Sequence, residues 1–122
     1  VYYAGPNGSL LSLVDRVFYA AGGTFALKPG AAVVSCRRGG ASATFDRLNK
    51  YFTISSMPVV SSQYWNSVHG NTPEEVRRDE EGLQVMRTLA DNLTWLLRCL
   101  QVAEGQVEKP QWEPRVSTNF IR

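Results

Sequence analysis

Ala31-Ala-Val-Val-Ser-Cys-Arg-Arg-Gly-Gly40 decides the reading of this chain. A short apolar run, too brief for a buried helix, opens abruptly into charge and glycine. Met57-Pro-Val-Val-Ser-Ser-Gln-Tyr-Trp-Asn66 repeats the plan. Both read as buried strands, Ala31 to Ser35 and Met57 to Ser61, whose carboxyl ends deliver a loop. Ala31 to Ser35 is apolar on both faces, as a central parallel strand requires. In an open parallel sheet the carboxyl ends line the ligand crevice. Function is therefore expected at Cys36 to Gly40 and Gln63 to Gly70.

Helical patterns surround these strands. Upstream, Val1-Tyr-Tyr reads as a strand end and Gly5-Pro-Asn-Gly8 as a turn. A helix then runs from about Ser9 to Ala20 with Leu10, Leu11, Val14, Val17 and Phe18 on one side, capped by Asn7 or Ser9 and closed by Gly22-Gly23. After Gly39-Gly40 a second helix starts near Ser42 and carries Phe45, Leu48 and Phe52. Asn66 to Thr72 reads as a loop, and Thr72-Pro-Glu-Glu75 as a capped helix start. From Glu80 to Ala103 apolar residues from Leu83 to Leu100 recur at three and four, predicting a long helix lying on the sheet.

The alternation of strand and helix imposes parallel pairing through right-handed crossovers. Two strands and a stump make a narrow sheet. The fold class expected is α/β, a doubly wound parallel sheet incomplete at its N-terminal side, with further strands upstream of a chain that begins with Val. Residues 1–109 form the domain part and 110–122 an extended arm, either disordered or docked through Trp112 and Phe120 onto this chain or a neighbour.

Composition bounds the function. With 122 residues and 43% apolar content the chain can bury one core. A net charge of +2, without a basic stripe, gives no footprint for nucleic acid. No run reaches membrane-spanning length. Cys36 and Cys99 are far apart and the sequence holds one His, so no metal-ligand set is expected. Two buried free thiols fit a reducing, cytoplasmic setting.

The loop from Tyr3 through Ala4, Gly5, Pro6, Asn7, Gly8 and Ser9 exposes backbone donors at a positive helix end, suited to an anion or the electron-rich edge of a heterocycle. An ordinary strand-to-helix turn is the plainer reading. Tyr3 can cover an aromatic ring or belong to the core. Arg37 and Arg38, with Gly39, place two guanidinium groups before a helix N-terminus, where positive charge is unfavourable. That cost points to an anionic partner, a phosphate or a reduced anionic cofactor; the alternative is one Arg paired with Asp46 or another acid and the other solvated. Gln63 to Asn66 with His69 is aromatic and polar enough for a planar ligand or a dimer interface. No Ser, Cys or Asp stands in a nucleophile elbow, and no glycine-rich dinucleotide fingerprint is present.

In order, Tyr2-Tyr-Ala-Gly-Pro-Asn-Gly-Ser-Leu-Leu-Ser-Leu-Val-Asp-Arg16, Lys28-Pro-Gly-Ala-Ala-Val-Val-Ser-Cys-Arg-Arg-Gly-Gly40, Phe45-Asp-Arg-Leu-Asn-Lys-Tyr-Phe52, Met57-Pro-Val-Val60 and Tyr64-Trp-Asn66 resemble the NADPH-dependent FMN reductase family of the flavodoxin-like superfamily. The resemblance runs from Val1 to about Leu100. It implies a flavodoxin-like fold and an FMN-dependent oxidoreductase that takes hydride from NADPH or NADH and passes electrons to a small-molecule acceptor such as a flavin or quinone, commonly as a homodimer. By the same resemblance, the backbone from Tyr3 to Ser9 meets the isoalloxazine edge, and Arg37, Arg38 and Gly39 border the ring; no catalytic side chain is implied. The family's phosphate loop has no counterpart in these residues, so weak FMN retention is expected. A flavodoxin-type electron carrier is the first alternative, disfavoured by Arg37-Arg38 and the positive charge. A non-catalytic interaction module is the second, and would be colourless.

Overall fold

The computed structural model describes residues 1–121; Arg122, the last residue expected in the arm, lies outside them. Among the described residues, six α-helices and strands succeed one another, with a 3₁₀ helix (Gly22–Phe25) after the first: α1 (Gly8–Ala21), β1 (Val34–Cys36), α2 (Ala41–Ile54), β2 (Ser67–His69), α3 (Pro73–Val76) and α4 (Glu80–Ala103). The architecture is α/β, with a parallel two-stranded sheet and surrounding helices.

The sheet corrects the sequence reading of the second strand. Val34 pairs with Ser67, Ser35 with Val68 and Cys36 with His69. The expected strand at Met57 to Ser61 contributes only an isolated parallel bridge, Gly30 to Val59. Gly30 donates its amide to the Pro58 carbonyl and accepts from Val60. Both contacts belong to one interrupted strand. Between the two pairings the first chain advances from Gly30 to Val34 while its neighbour advances from Val59 to Ser67, so the neighbour carries extra residues that bulge outward. Asn66, fully buried, closes this excursion: its carbonyl accepts from Val34 (2.9 Å) and its Oδ1 accepts from the Ser62 hydroxyl (2.8 Å).

Burial alternates along Gly30, Ala32, Val34 and Cys36, the period of an extended chain with one covered face. A β-carbon built on Gly30 would stand 2.9 Å from the Phe52 ring, so α2 covers that face. Val68 lies on the opposite face with Ser35, and there α4 approaches: a β-carbon on Gly82 would stand 3.0 Å from Val68 Cα. Helices thus flank the sheet on both sides. The covering of the second face is partial, because Val33 is 54% exposed, and the expectation of a strand buried on both faces is not met.

Local signals account for the helices. Asn7 Oδ1 accepts from the Ser9 (2.9 Å) and Leu10 (3.4 Å) amides at the start of α1. This helix ends in a 3₁₀ turn, Gly22–Phe25, with Gly22 right-handed rather than in the left-handed conformation common after helices. Phe18 packs on Phe25, Tyr51 and Phe52, tying α1 to α2. Tyr51 donates its hydroxyl to Asp15, which also meets Arg47 at 3.5 Å. Thr72 caps α3 through the Glu75 amide (3.3 Å), while Glu75 accepts from Asn71 one residue before the usual box partner. Asp79 caps α4 at Gly82 (2.9 Å).

Beyond α4, Pro110 to Ile121 has no secondary structure and is exposed throughout. No helix among the described residues is long and apolar enough to cross a membrane.

Candidate functional site

The carboxyl ends of β1 and β2 lie side by side, and two of the loops singled out in the sequence meet there. Tyr2 and Gly5 exchange backbone hydrogen bonds of 2.8 and 3.1 Å around a reversal whose central residues, Tyr3 and Ala4, both have positive φ (45° and 58°). The chain therefore turns at Tyr3-Ala4, ahead of the expected Gly5-Pro-Asn-Gly8 turn, and Val1 to Tyr3 is not part of the sheet. Left-handed backbone costs a non-glycine residue about 1–2 kcal/mol. Gly40 holds the turn from below. Its φ is +84°, and a β-carbon there would stand 2.6 Å from Ala4 Cα. The Val1 amino group donates to the Ser35 carbonyl at 3.1 Å, a second tie between the turn and the end of β1.

This junction leaves Tyr3 93% exposed, its ring edge-on to Tyr2 with centroids 5.0 Å apart. Tyr3 is not a core residue. Ala4, Asn7, Gly8 and Ser9 are exposed and Gly5 and Pro6 half-buried. The capping by Asn7 engages the Ser9 and Leu10 amides, and the Leu11 amide returns to the Asn7 carbonyl. The donors left for a ligand at this helix end are thus the Asn7 and Gly8 amides, which have no partner among the described residues.

Arg37 and Arg38 are exposed, with Gly39 beside them. Neither Arg forms an ion pair among the described residues, so the alternative pairing with Asp46 does not occur. Two unneutralised guanidinium groups, two free amides and an exposed aromatic ring at one junction suit a planar ligand with electron-rich or anionic edges.

The third loop divides. Tyr64 and Trp65 pack ring against ring at a tilt of 51° (centroids 4.8 Å) but precede β2, on the excursion that leaves the strand between Gly30 and Val34. Within one chain they depart from the amino side of β2, whereas Arg37 follows the carboxyl end of β1. Gln63 to His69 is therefore not one loop delivered by a strand end. Asn66 Nδ2 is buried without a partner among the described residues. His69 does reach the carboxyl end. There its backbone amide donates to Asp79 Oδ2 (2.6 Å), and its Nδ1 stands 3.7 Å from the same oxygen. The hydrogen bond from Gly82, aided by those of His69, holds the Asp79 carboxyl below its ordinary pKa despite burial.

Beside this edge lies an open concavity of about 460 Å³ lined by Ser35, Gly70, Asn71, Thr72, Val76 and Arg77. None of the residues from Tyr3 to Ser9 or Arg37 to Gly39 lines it. The sequence reading missed Arg77 and Asp79; the signal available was the apolar-to-polar break at Val76-Arg-Arg-Asp79 just before a helix.

Residues 1–72 match the family described as NADPH-dependent FMN reductase. The match ends well before Leu100, short of the extent of the resemblance. Neither the curated proteins nor the solved structures gave a match.

Proposed function

Because the chain belongs to the NADPH-dependent FMN reductase family, we propose that it takes part in FMN-dependent transfer of reducing equivalents from NADPH or NADH to a small-molecule acceptor such as a flavin or quinone. We place the flavin ring at the junction of the Tyr3–Ser9 turn with Arg37, Arg38 and Gly39. The observation that carries this placement is the seat of Ala4 on Gly40, which brings both loops to the carboxyl edge of the parallel sheet. The wider frame proposed is a flavodoxin-like domain over residues 1–109, cytoplasmic and homodimeric, acting on neither nucleic acid nor membrane.

The residues present fit the ring portion of FMN. The Asn7 and Gly8 amides can donate to ring carbonyl oxygens, Tyr3 can cover a ring face, and Arg37 and Arg38 can neutralise negative charge gathered on the ring edge. FMN, when bound, supplies the two-electron chemistry between nicotinamide and acceptor. The chain's own part is to orient the ring, exclude water from the Tyr3 side and hold positive charge beside it. No side chain here need move a proton. Among the described residues nothing comparable gathers donors for a phosphate group.

The test is the visible spectrum on titration with FMN and with riboflavin, followed by anaerobic bleaching with each nicotinamide. The two flavins are expected to bind within roughly tenfold of one another, since the phosphate gains no anchor worth the 1.4 kcal/mol of a decade. Arg38→Ala is expected to slow bleaching or raise the nicotinamide concentration it needs, with the fold intact by circular dichroism. Failure of both flavins to change spectrum would sink the reading in favour of an interaction module. Slow bleaching insensitive to Arg38→Ala would favour an electron carrier.

A further inference from the structure

The last turns of α4 carry a shallow apolar groove of about 460 Å³, lined by Trp95, Cys99, Val102, Ala103 and Val107 with Arg98 on its rim. Trp95 is 69% exposed among the described residues. A few residues further on begins the arm, whose Trp112 is 59% and Phe120 90% exposed, with Val116 and Ile121 bare beside them. Two apolar surfaces of one chain are therefore both left in water. Arg98 and Glu113, the residue next to Trp112, have opposite charges and no ion-pair partner among the described residues.

The arm is poorly built to fold back on its own helix. Gly105, left-handed at φ 75°, is the last glycine. Beyond it Pro110 and Pro114 fix their own φ and bias Lys109 and Glu113 toward extended backbone. The groove ends at Val107, so an intramolecular return would require a tight reversal across Glu108 to Pro110. Extended, the dozen residues from Pro110 to Ile121 reach roughly 40 Å, ample to cross to another copy.

We propose that two copies of this chain exchange arms, Trp112 of each seating in the Trp95–Val107 groove of the other. Reciprocal exchange is a closed two-fold arrangement and leaves neither groove nor arm unpaired. An aromatic side chain buries about 150–250 Å². Trp112 and Phe120 from both arms, with the facing helix surface, exceed the roughly 1,000 Å² that a specific interface needs. The interface is independent of flavin: a dimer that forms without the arm leaves the whole proposed function standing, and a monomeric full chain removes from it only the homodimer, not the redox reading.

The experiment is light scattering of the purified full chain beside two variants, one ending at Lys109 and one carrying Val102→Glu, a solvent-exposed position whose substitution leaves the core intact. The full chain is expected to be dimeric and each variant to have roughly half its mass at the same concentration. Mixing the variants is expected to restore a weaker association, visible at higher protein concentration, because the shortened copy supplies one intact groove and the Val102→Glu copy one intact arm, half of the reciprocal contact. In Gln111→Cys, which keeps Trp112 as the anchor and sets a thiol beside it, mild oxidation with diamide is expected to join the new thiol to the exposed Cys99 between copies, giving a species of twice the mass under denaturing, non-reducing conditions. A monomeric full chain, a dimer that survives loss of the arm, a mixture that does not associate, or a disulfide that is absent or closes within one copy would each overturn the proposal.

Discussion

The two halves of α4 share one amphipathic period and meet different fates. In the first half Gly82, Val85 and Leu89 are buried against the Val68 face of the sheet, and Asp79 fixes both the helix start and the last residue of β2. In the second half Leu93 and Leu96 are only half-buried and Leu97, Leu100 and Val102 are exposed. Cys99, expected to be a buried thiol, is exposed for the same reason, whereas Cys36 at the end of β1 is buried as expected. A helical apolar stripe records that a surface needs covering. It does not record that the same chain covers it.

Truncating the stripe at its two ends gives the sharpest contrast, and the largest effect lies at Leu89. Leu89→Ala removes a buried side chain from the junction of α4 with the sheet and is expected to cost about 2–5 kcal/mol by denaturant titration. A loss below about 1 kcal/mol, the range of surface substitutions, would show that α4 docks no more firmly here than at its far end.

Asp79 comes next. Asp79→Ala deletes a helix cap and leaves the His69 and Gly82 amides without their acceptor, and is expected to cost about 1–2 kcal/mol. The effect should depend on pH. The folded-state pKa of Asp79 lies below that of the unfolded chain, chiefly because of the Gly82 amide, so the stabilisation is complete above the unfolded value near 3.9 and is lost as pH falls through the lower folded value. Thermal unfolding followed downward from pH 5 should show the variant losing less stability than the parent chain. Parallel curves would mean that the ionised carboxylate is not what joins α4 to β2.

The same contrast explains what could be read in the sequence. Elements with local chemistry were legible: α4 has the bounds its periodicity predicts, and Thr72 caps α3 where Thr-Pro-Glu-Glu announces it. β2 was not, because Ser67-Val-His69 has no apolar run, and the Val59-Val60 run that looks like a strand makes only the Gly30 bridge before the chain bulges out. Pairing partners are set by distant contacts, and the excursion that re-registers them has no local signature. Charge and glycine mark both loops of the proposed ring site in the sequence, but nothing there marks the contact between them. The seat of Ala4 on Gly40 depends on left-handed backbone at Tyr3-Ala4, two residue types that do not advertise it.

The smallest expected effect lies at the far end of the stripe. Leu100→Ala replaces one strong helix former by a stronger one at an exposed position, so propensity and lost contact nearly cancel, and a change within about 0.5 kcal/mol is expected. The chain ending at Lys109 is the right background for that measurement, since it isolates what the folded domain itself demands of the position. A cost there approaching that of Leu89→Ala would mean that Leu100 is covered within a single copy, and that the bare half of α4 is no surface awaiting a partner. A cost that is negligible in the shortened chain yet clear in the full one would locate the covering in the arm.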